Sequence, residues 1–222
     1  MNDLTRKTII GCIQLIIGLG VMLFIPAWTV DFWQAWVYLF IFGVSVALIF
    51  AYLYKNDPKL LERRLNRTEK EKSQKEIQLY MFIAYISMFI LPSLDHRFSL
   101  SNVPFSVIMT GDILVALGYL IIFIVLKENT FAAATIEVTL DHKVISTGPY
   151  AIIRHPMYSG GIVMLLGTPL ALGSWWGLLI FFPITFIIVL RLLDEEKFMF
   201  QALLGYKEYC QKTRYRLVPF IW

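Results

Sequence analysis

The feature that most limits what this chain can become is its succession of long apolar stretches. Thr8 to Trp28, Trp33 to Tyr54, Ile77 to Leu94 and Pro104 to Leu126 each come close to the ~20 residues a helix needs to cross a bilayer. The remaining composition agrees: 58% of the residues are hydrophobic and 16% charged, whereas an ordinary soluble domain carries about 25% charge. The mean hydropathy is +0.65. These values exclude a soluble globular domain and predict an all-α, polytopic membrane bundle.

A fifth apolar region, Met157 to Leu190, is too long for a single crossing. Gly173-Ser174 followed by Trp175-Trp176 interrupts it near its middle, where a tight turn and an interfacial aromatic pair fit. We read it as a helical hairpin with arms Tyr158 to Leu172 and Trp175 to Leu193, the first kinked at Pro169, giving about six spans on the length rule. The first span is long and no small-residue cleavage pattern follows it, which argues against a cleavable signal peptide.

Lysine and arginine set the expected orientation. They gather at Arg6 and Lys7, in the linker from Lys55 to Lys75, at Lys127, Lys143 and Arg154, and along the tail from Arg191 to Arg216, leaving Arg97 alone on the other side. The positive-inside rule then puts both termini in the cytoplasm and requires an even number of spans. The net charge of +4 reflects topology and contact with membrane lipids, because the linker also holds Asp57, Glu62, Glu69, Glu71 and Glu76. No nucleic-acid partner is implied. Cys12 and Cys210 make no Cys-x-x-Cys pattern, so neither a disulfide framework nor a metal site is expected.

The chain reads as one domain, with four spans in 1–126, a basic cytoplasmic linker at 55–76 and a second half at 127–222. Asp57 to Glu76 suits a solvated amphipathic helix, with Pro58 in its first turn and Leu60, Leu61 and Leu65 toward the bilayer surface, although a plain charged connector is the preferred reading. Lys127 to Tyr150 is irregular, and loops of that length in compact proteins are commonly functional. Asp112 stands alone inside the fourth span and is read as structural, a polar contact to Gln14 or a group near the outer face. Trp28, Trp33, Trp36, Trp175 and Trp176 fit interfacial anchors.

The densest polar cluster runs from Gly148 to Tyr158, with Tyr150, Arg154, His155, Pro156, Met157 and Tyr158 placed beside membrane spans. An unpaired ionisable group costs at least ~2.5 kcal/mol in hydrocarbon, so such residues face a cavity, a ligand or each other. A hairpin would bring this cluster to the same bilayer face as Asp194-Glu195-Glu196, so that Arg154 and His155 meet one of those acids across a pocket.

The spacing Gly148-x-Tyr150-x3-Arg154-His155-Pro156-x-Tyr158, then Glu195-Glu196, then Gly205-x3-Tyr209 resembles the isoprenylcysteine carboxyl methyltransferase family of integral membrane enzymes. The likeness covers the C-terminal part of the chain; the first four spans match only as generic membrane helices. It implies a cytosol-facing pocket for S-adenosylmethionine, joined to the bilayer by an opening for a lipidated acceptor, with no metal. It further implies that His142, Lys143, Val144 and Ile145 line the cofactor, that Tyr150, His155, Pro156, Met157 and Tyr158 continue that wall, and that Glu196 hydrogen-bonds the cofactor with Glu195 secondary to it. Arg191 lies within one position of the family's substrate-contacting arginine, so Arg154 or Arg191 would orient an acceptor carboxylate by a bidentate contact. A glutamine that some members place before His142 has no counterpart at Thr135 or Ile136, and Glu137 is its nearest substitute.

The residue types agree with that implication, since a sulfonium with an amino-acid head and an adenine wants carboxylate, cationic and aromatic partners. A membrane sterol-type or enone reductase using NADPH is the competing reading. It shares the His-Pro-x-Tyr element, and the ending Tyr209-Cys210-x4-Tyr215-Arg216-x2-Pro219 resembles its tail. The acid pair favours a cationic methyl donor over a polyphosphate. A non-enzymatic transporter is disfavoured, because paired charges and matching broken helices near the midplane are missing from the pattern.

Overall fold

The structure is a computed structural model that describes residues 3–65, 72–132 and 143–222. Among these, the chain forms α1 Asp3–Ala27, α2 Trp33–Asn56, α3 Pro58–Leu65, α4 Lys72–Phe98, α5 Phe105–Glu128, α6 Pro156–Ala171, α7 Leu178–Ala202 and α8 Tyr206–Lys212, with a 3-10 turn at Gly148–Ala151 before α6. No strand is present among the described residues; the one extended pairing is an isolated bridge from Ile153 to Tyr215. Four helices, Leu4–Ala27, Trp33–Asn56, Glu76–Phe98 and Phe105–Glu128, are long and apolar enough to cross a membrane. This is an integral membrane protein. The apolar stretches read from the sequence coincide with these helices to within a few residues at each end, Trp28 and Pro104 falling just outside them.

The hairpin region forms two helices joined through Gly173, whose φ of +69° is a left-handed conformation that favours glycine. With 16 residues, α6 reaches roughly 24 Å at the helical rise, short of the ~30 Å hydrocarbon core. In contrast, α7 has 25 residues, and its last third carries the charged run from Asp194 to Lys197.

Helices α5 and α6 lie backbone against backbone. A Cβ added at Gly111 would stand 2.2 Å from the Ala171 nitrogen, one at Gly118 would stand 2.7 Å from the Gly160 carbonyl oxygen, and one at Gly167 would stand 2.7 Å from the Gly111 carbonyl oxygen. Gly111 and Gly118 repeat at the same interval as Gly160 and Gly167, so one small-residue stripe on each helix allows the close approach. Leu19, Leu23, Phe32, Tyr38, Phe89, Val115, Leu165 and Ile184 fill the core between α1, α2, α4, α5, α6 and α7.

Helix α3 departs from the surface or connector role expected of the linker. Leu60 and Leu61 are 0% exposed, packed with Ile49, Leu53 and Leu126. Their two adjacent apolar side chains drop into a gap between α2 and α5, while Asp57 Oδ1 accepts the Leu60 N–H at 2.9 Å and caps the helix. Arg63 and Arg64 then reach across to the carbonyl oxygens of Thr130 and Ala132.

At the far end of the bundle Asp95 accepts hydrogen bonds from Ser101 and Ser174, tying the end of α4 to the following loop and to the α6–α7 turn. Arg97 stacks over Trp28 and Phe98 there, at 5.5 and 5.4 Å. The five anchor tryptophans are exposed. Asp112 is buried, and neither of its carboxylate oxygens has a hydrogen-bond partner among the described residues.

Candidate active site

A cavity of about 1600 Å³ enters the bundle, lined by side chains from all eight helices. Its wall has two characters. One pole is polar and phenolic, built from Asn129, Lys143, Tyr150, Arg154, His155, Tyr158, Arg191, Glu195, Tyr206 and Tyr209. The other is apolar, built from Ile10, Leu15, Phe42, Val46, Ile49, Leu79, Phe82 and Ile122. Ile10 on α1 and Leu79 and Phe82 on α4 are exposed apolar members of that lining.

Pro156 occupies the first turn of α6, where a missing N–H is harmless. The helix therefore starts immediately after His155, and Tyr158 falls within its first turn, aimed back along the wall. The Tyr158 hydroxyl donates to Glu195 Oε2 at 2.6 Å and accepts from Arg191 Nε at 3.1 Å. Acid, phenol and guanidinium thus form a chain between α6 and α7 on the cavity wall. Tyr150 is held from two sides: Asn129 Nδ2 donates to its hydroxyl at 2.8 Å, and its carbonyl accepts the Tyr209 hydroxyl at 2.8 Å. Burial pushes the Tyr150 phenol up to about 12, partly offset by the bond from Asn129, so it stays protonated at neutral pH.

Glu196 makes a separate knot. Its Oε1 takes Arg154 Nη1 at 2.8 Å and His155 Nε2 at 3.3 Å, and its Oε2 takes Arg216 Nε at 2.8 Å. Arg154 spends its other nitrogens on backbone, with Nε to the Thr213 carbonyl and Nη2 to the Arg214 carbonyl, both at 2.8 Å. The Arg154 and His155 amides bond the carbonyls of Tyr215 and Arg216, and Ser159 Oγ bonds that of Leu217 at 2.6 Å. The tail is therefore stitched to the start of α6. Burial alone would raise the Glu196 pKa, but the hydrogen bonds from His155 and Arg216 and the nearby His155 and Arg154 charges hold it down at about 2.

Of the residues singled out from the sequence, Lys143, Val144, Ile145, Tyr150, Arg154, His155, Met157, Tyr158, Arg191 and Glu195 all line this cavity. Pro156 and Glu196 are buried beside it, outside its lining. His142 and Glu137 lie outside the described residues. The two acids stand in the reverse of the expected arrangement, with Glu195 facing the cavity and Glu196 turned into the knot, because neighbours on a helix point about 100° apart. Arg154 is likewise occupied by carbonyl oxygens and Glu196. Asn129, Tyr206 and Arg216 went unremarked as site residues in the sequence. Arg216 belonged to the reductase-like ending, and Asn129 sat in the polar run Lys127-Glu128-Asn129-Thr130 after the fourth span, where nothing in the sequence set it apart. Among the described residues no three of His, Cys, Asp and Glu group as metal ligands.

An all-α membrane bundle with a large cavity, polar in one part of its lining and apolar in another, is the class of protein these features define. Within it, residues 106–205, which run from the start of α5 to the residue before α8, match the phospholipid methyltransferase family. Two probable protein-S-isoprenylcysteine O-methyltransferases, from Oryza sativa subsp. indica and subsp. japonica, are each 27% identical over 135 residues, covering 60% of this chain and 68% of theirs. Delta(14)-sterol reductase TM7SF2 of Mus musculus is 26% identical over 91 residues, covering 40% of this chain and 22% of the reductase. Over that segment the chain is therefore similar to phospholipid methyltransferases, and more widely to the isoprenylcysteine methyltransferases its motifs resembled.

Proposed function

We propose that this protein is a membrane methyltransferase that uses S-adenosylmethionine to methylate a carboxylate, or a similar nucleophile, on an amphiphilic acceptor such as a prenylcysteine. The observation that carries the reading is the two-part cavity: motif residues of the matched segment build its polar pole, and bilayer-facing helices build its apolar pole. At about 1600 Å³ it exceeds the ~300 to 1,000 Å³ of an ordinary ligand pocket, leaving space for a donor and a lipid tail together.

The donor set fits. When bound, S-adenosylmethionine supplies an electrophilic methyl group on a sulfonium, with an amino-acid head and an adenine. Glu195 offers a carboxylate to its cationic portion, and Tyr150, Tyr206 and Tyr209 offer aromatic faces to its base. Tyr158 fixes the Glu195 carboxylate, and Arg191 stands beside both. With Arg154 committed to the knot, orientation of an acceptor carboxylate falls to Arg191. A carboxylate acceptor is already ionised at neutral pH, so the chain has chiefly to align the two reactants within ~3 to 3.5 Å and keep water out. The basic rim of Arg6, Lys7, Arg64 and Lys143 suits an anionic head group entering from the bilayer. In this reading α6 and α7 complete six crossings and the polar pole faces the cytoplasm.

Calorimetry on detergent-solubilised protein is the test. Saturable binding of S-adenosylmethionine and of its demethylated product, unaffected by chelator, is expected. Saturable NADPH binding with no response to either sulfur ligand would transfer the chain to the reductase class.

A further inference from the structure

We propose that Asp112 is the charged ligand of a site for one alkali cation, buried where α2, α5 and α6 meet. The residues that form it, Gln34, Tyr38, Asp112 and Thr168, are all outside the cavity lining. The site is therefore independent of the methyl-transfer reading.

The neighbours of Asp112 on α5 show which way it faces. Ile108, Asp112, Val115 and Tyr119 recur at the intervals of a single helix face. Ile108 Cδ1 and Gln34 Nε2 both close on Gly173, at 3.7 and 3.2 Å from the position a Cβ would take there. Val115 packs in the same core as Tyr38, and the Tyr119 ring stands 6.0 Å from that of Phe42. The stripe thus runs along α2 past Gln34, Tyr38 and Phe42. Asp112 falls between the first two, within electrostatic reach of the Tyr38 hydroxyl.

The hydroxyl hydrogens here are already committed. Thr168 Oγ1 donates to the Met164 carbonyl at 2.9 Å, so in its 3.2 Å contact with the Tyr38 hydroxyl it is Tyr38 that donates. What remains for Asp112 is oxygen. Both of its carboxylate oxygens and Gln34 Oε1 are buried with no hydrogen-bond partner among the described residues, and the Tyr38 oxygen keeps lone pairs. Asp112 is 3% exposed, and Tyr38 and Thr168 are each 1% exposed. Acceptors gathered without a donor are satisfied by a cation, and carboxylate, amide and hydroxyl oxygens suit a hard one. A single negative charge among neutral oxygens is balanced by a single positive charge, whereas a divalent ion would leave net charge buried in the bundle. Bound there, the ion would join α2 to the glycine seam of α5 and α6.

The test uses full-length protein in zwitterionic nanodiscs, prepared in N-methylglucamine chloride and titrated with sodium or potassium chloride at constant ionic strength. The thermal midpoint of the wild type is expected to rise saturably with at least one of the two ions. At a hundredfold excess over the dissociation constant the rise should be roughly 5 to 10 °C. Asp112→Asn, neutral and of the same shape, is expected to fold and to lose the rise. Gln34→Leu, which keeps the charge and removes one oxygen, is expected to need at least about fivefold more of the ion to reach the same shift, and it decides the matter should Asp112→Asn fail to fold. A wild-type midpoint indifferent to both ions would mean that a proton or water satisfies the carboxylate and would overturn the proposal. Equal rises in wild type and Asp112→Asn, or an unchanged titration in Gln34→Leu, would mark a general salt effect and overturn it as well.

Discussion

Glu196 ties the local electrostatics to stability. Its pKa is 4.5 when unperturbed and about 2 in the folded protein, so the folded state binds fewer protons here than the unfolded state. The resulting stabilisation is complete above pH 4.5 and disappears as the pH falls through about 2. The thermal midpoint of the wild type should therefore decline across that window. Glu196→Gln should flatten the decline and lower the midpoint at neutral pH, since removing one partner of a buried ion pair costs roughly 3 to 5 kcal/mol. Parallel acid profiles for the two proteins would contradict this. At this scale the sequence was informative about composition and less so about direction. That Arg154 and His155 meet an acid of the Glu195-Glu196 pair could be read from the hairpin; which acid turns inward depends on helix rotation, which no motif spacing encodes.

Among the elements, the α5–α6 contact is the least forgiving. An alanine at Gly118 would put a methyl group 2.6 Å from the Met164 Cβ and 2.7 Å from the Gly160 carbonyl, and the backbones would have to separate. Gly118→Ala should lower stability by at least the ~1 to 3 kcal/mol typical of overpacking. Gly161→Ala, one residue past the seam, meets nothing within 4 Å and should be neutral or slightly stabilising. Thermal midpoints in one detergent would compare them, and equal shifts would refute the seam. The paired glycine intervals were visible in the sequence as spacing; what remained hidden was that α5 and α6, separated by the long 129–155 stretch, are the helices that meet. The burial of Leu60 and Leu61 was hidden for a similar reason: a short charged helix shows its apolar face, but not whether lipid or protein covers it.

For the whole molecule, the segregation of lysine and arginine predicts that a reporter fused after Trp222 reports a cytoplasmic location, while one inserted in the 99–104 loop beside Arg97 reports the opposite side. Reversal of either would separate the polar pole from a cytosolic cofactor supply. The four N-terminal crossings were legible from hydropathy alone, since twenty apolar residues leave few alternatives. The status of α6 and α7 was not, because one is short and the other ends in charge, and length rules lose their force there.

The two-toned cavity wall separates what a lineage is free to vary from what it must hold fixed. The groups suited to the common reactant come largely from the matched segment and lie between charged residues and a glycine seam that tolerate little change. The surface that would receive a lipid tail is assembled largely from α1, α2 and α4, ordinary hydrophobic helices in which one aliphatic residue substitutes readily for another. On the proposed methyltransferase reading, acceptor preference is free to drift through three helices while the methyl-donor chemistry stays put, and two proteins alike in their last hundred residues need share no acceptor at all.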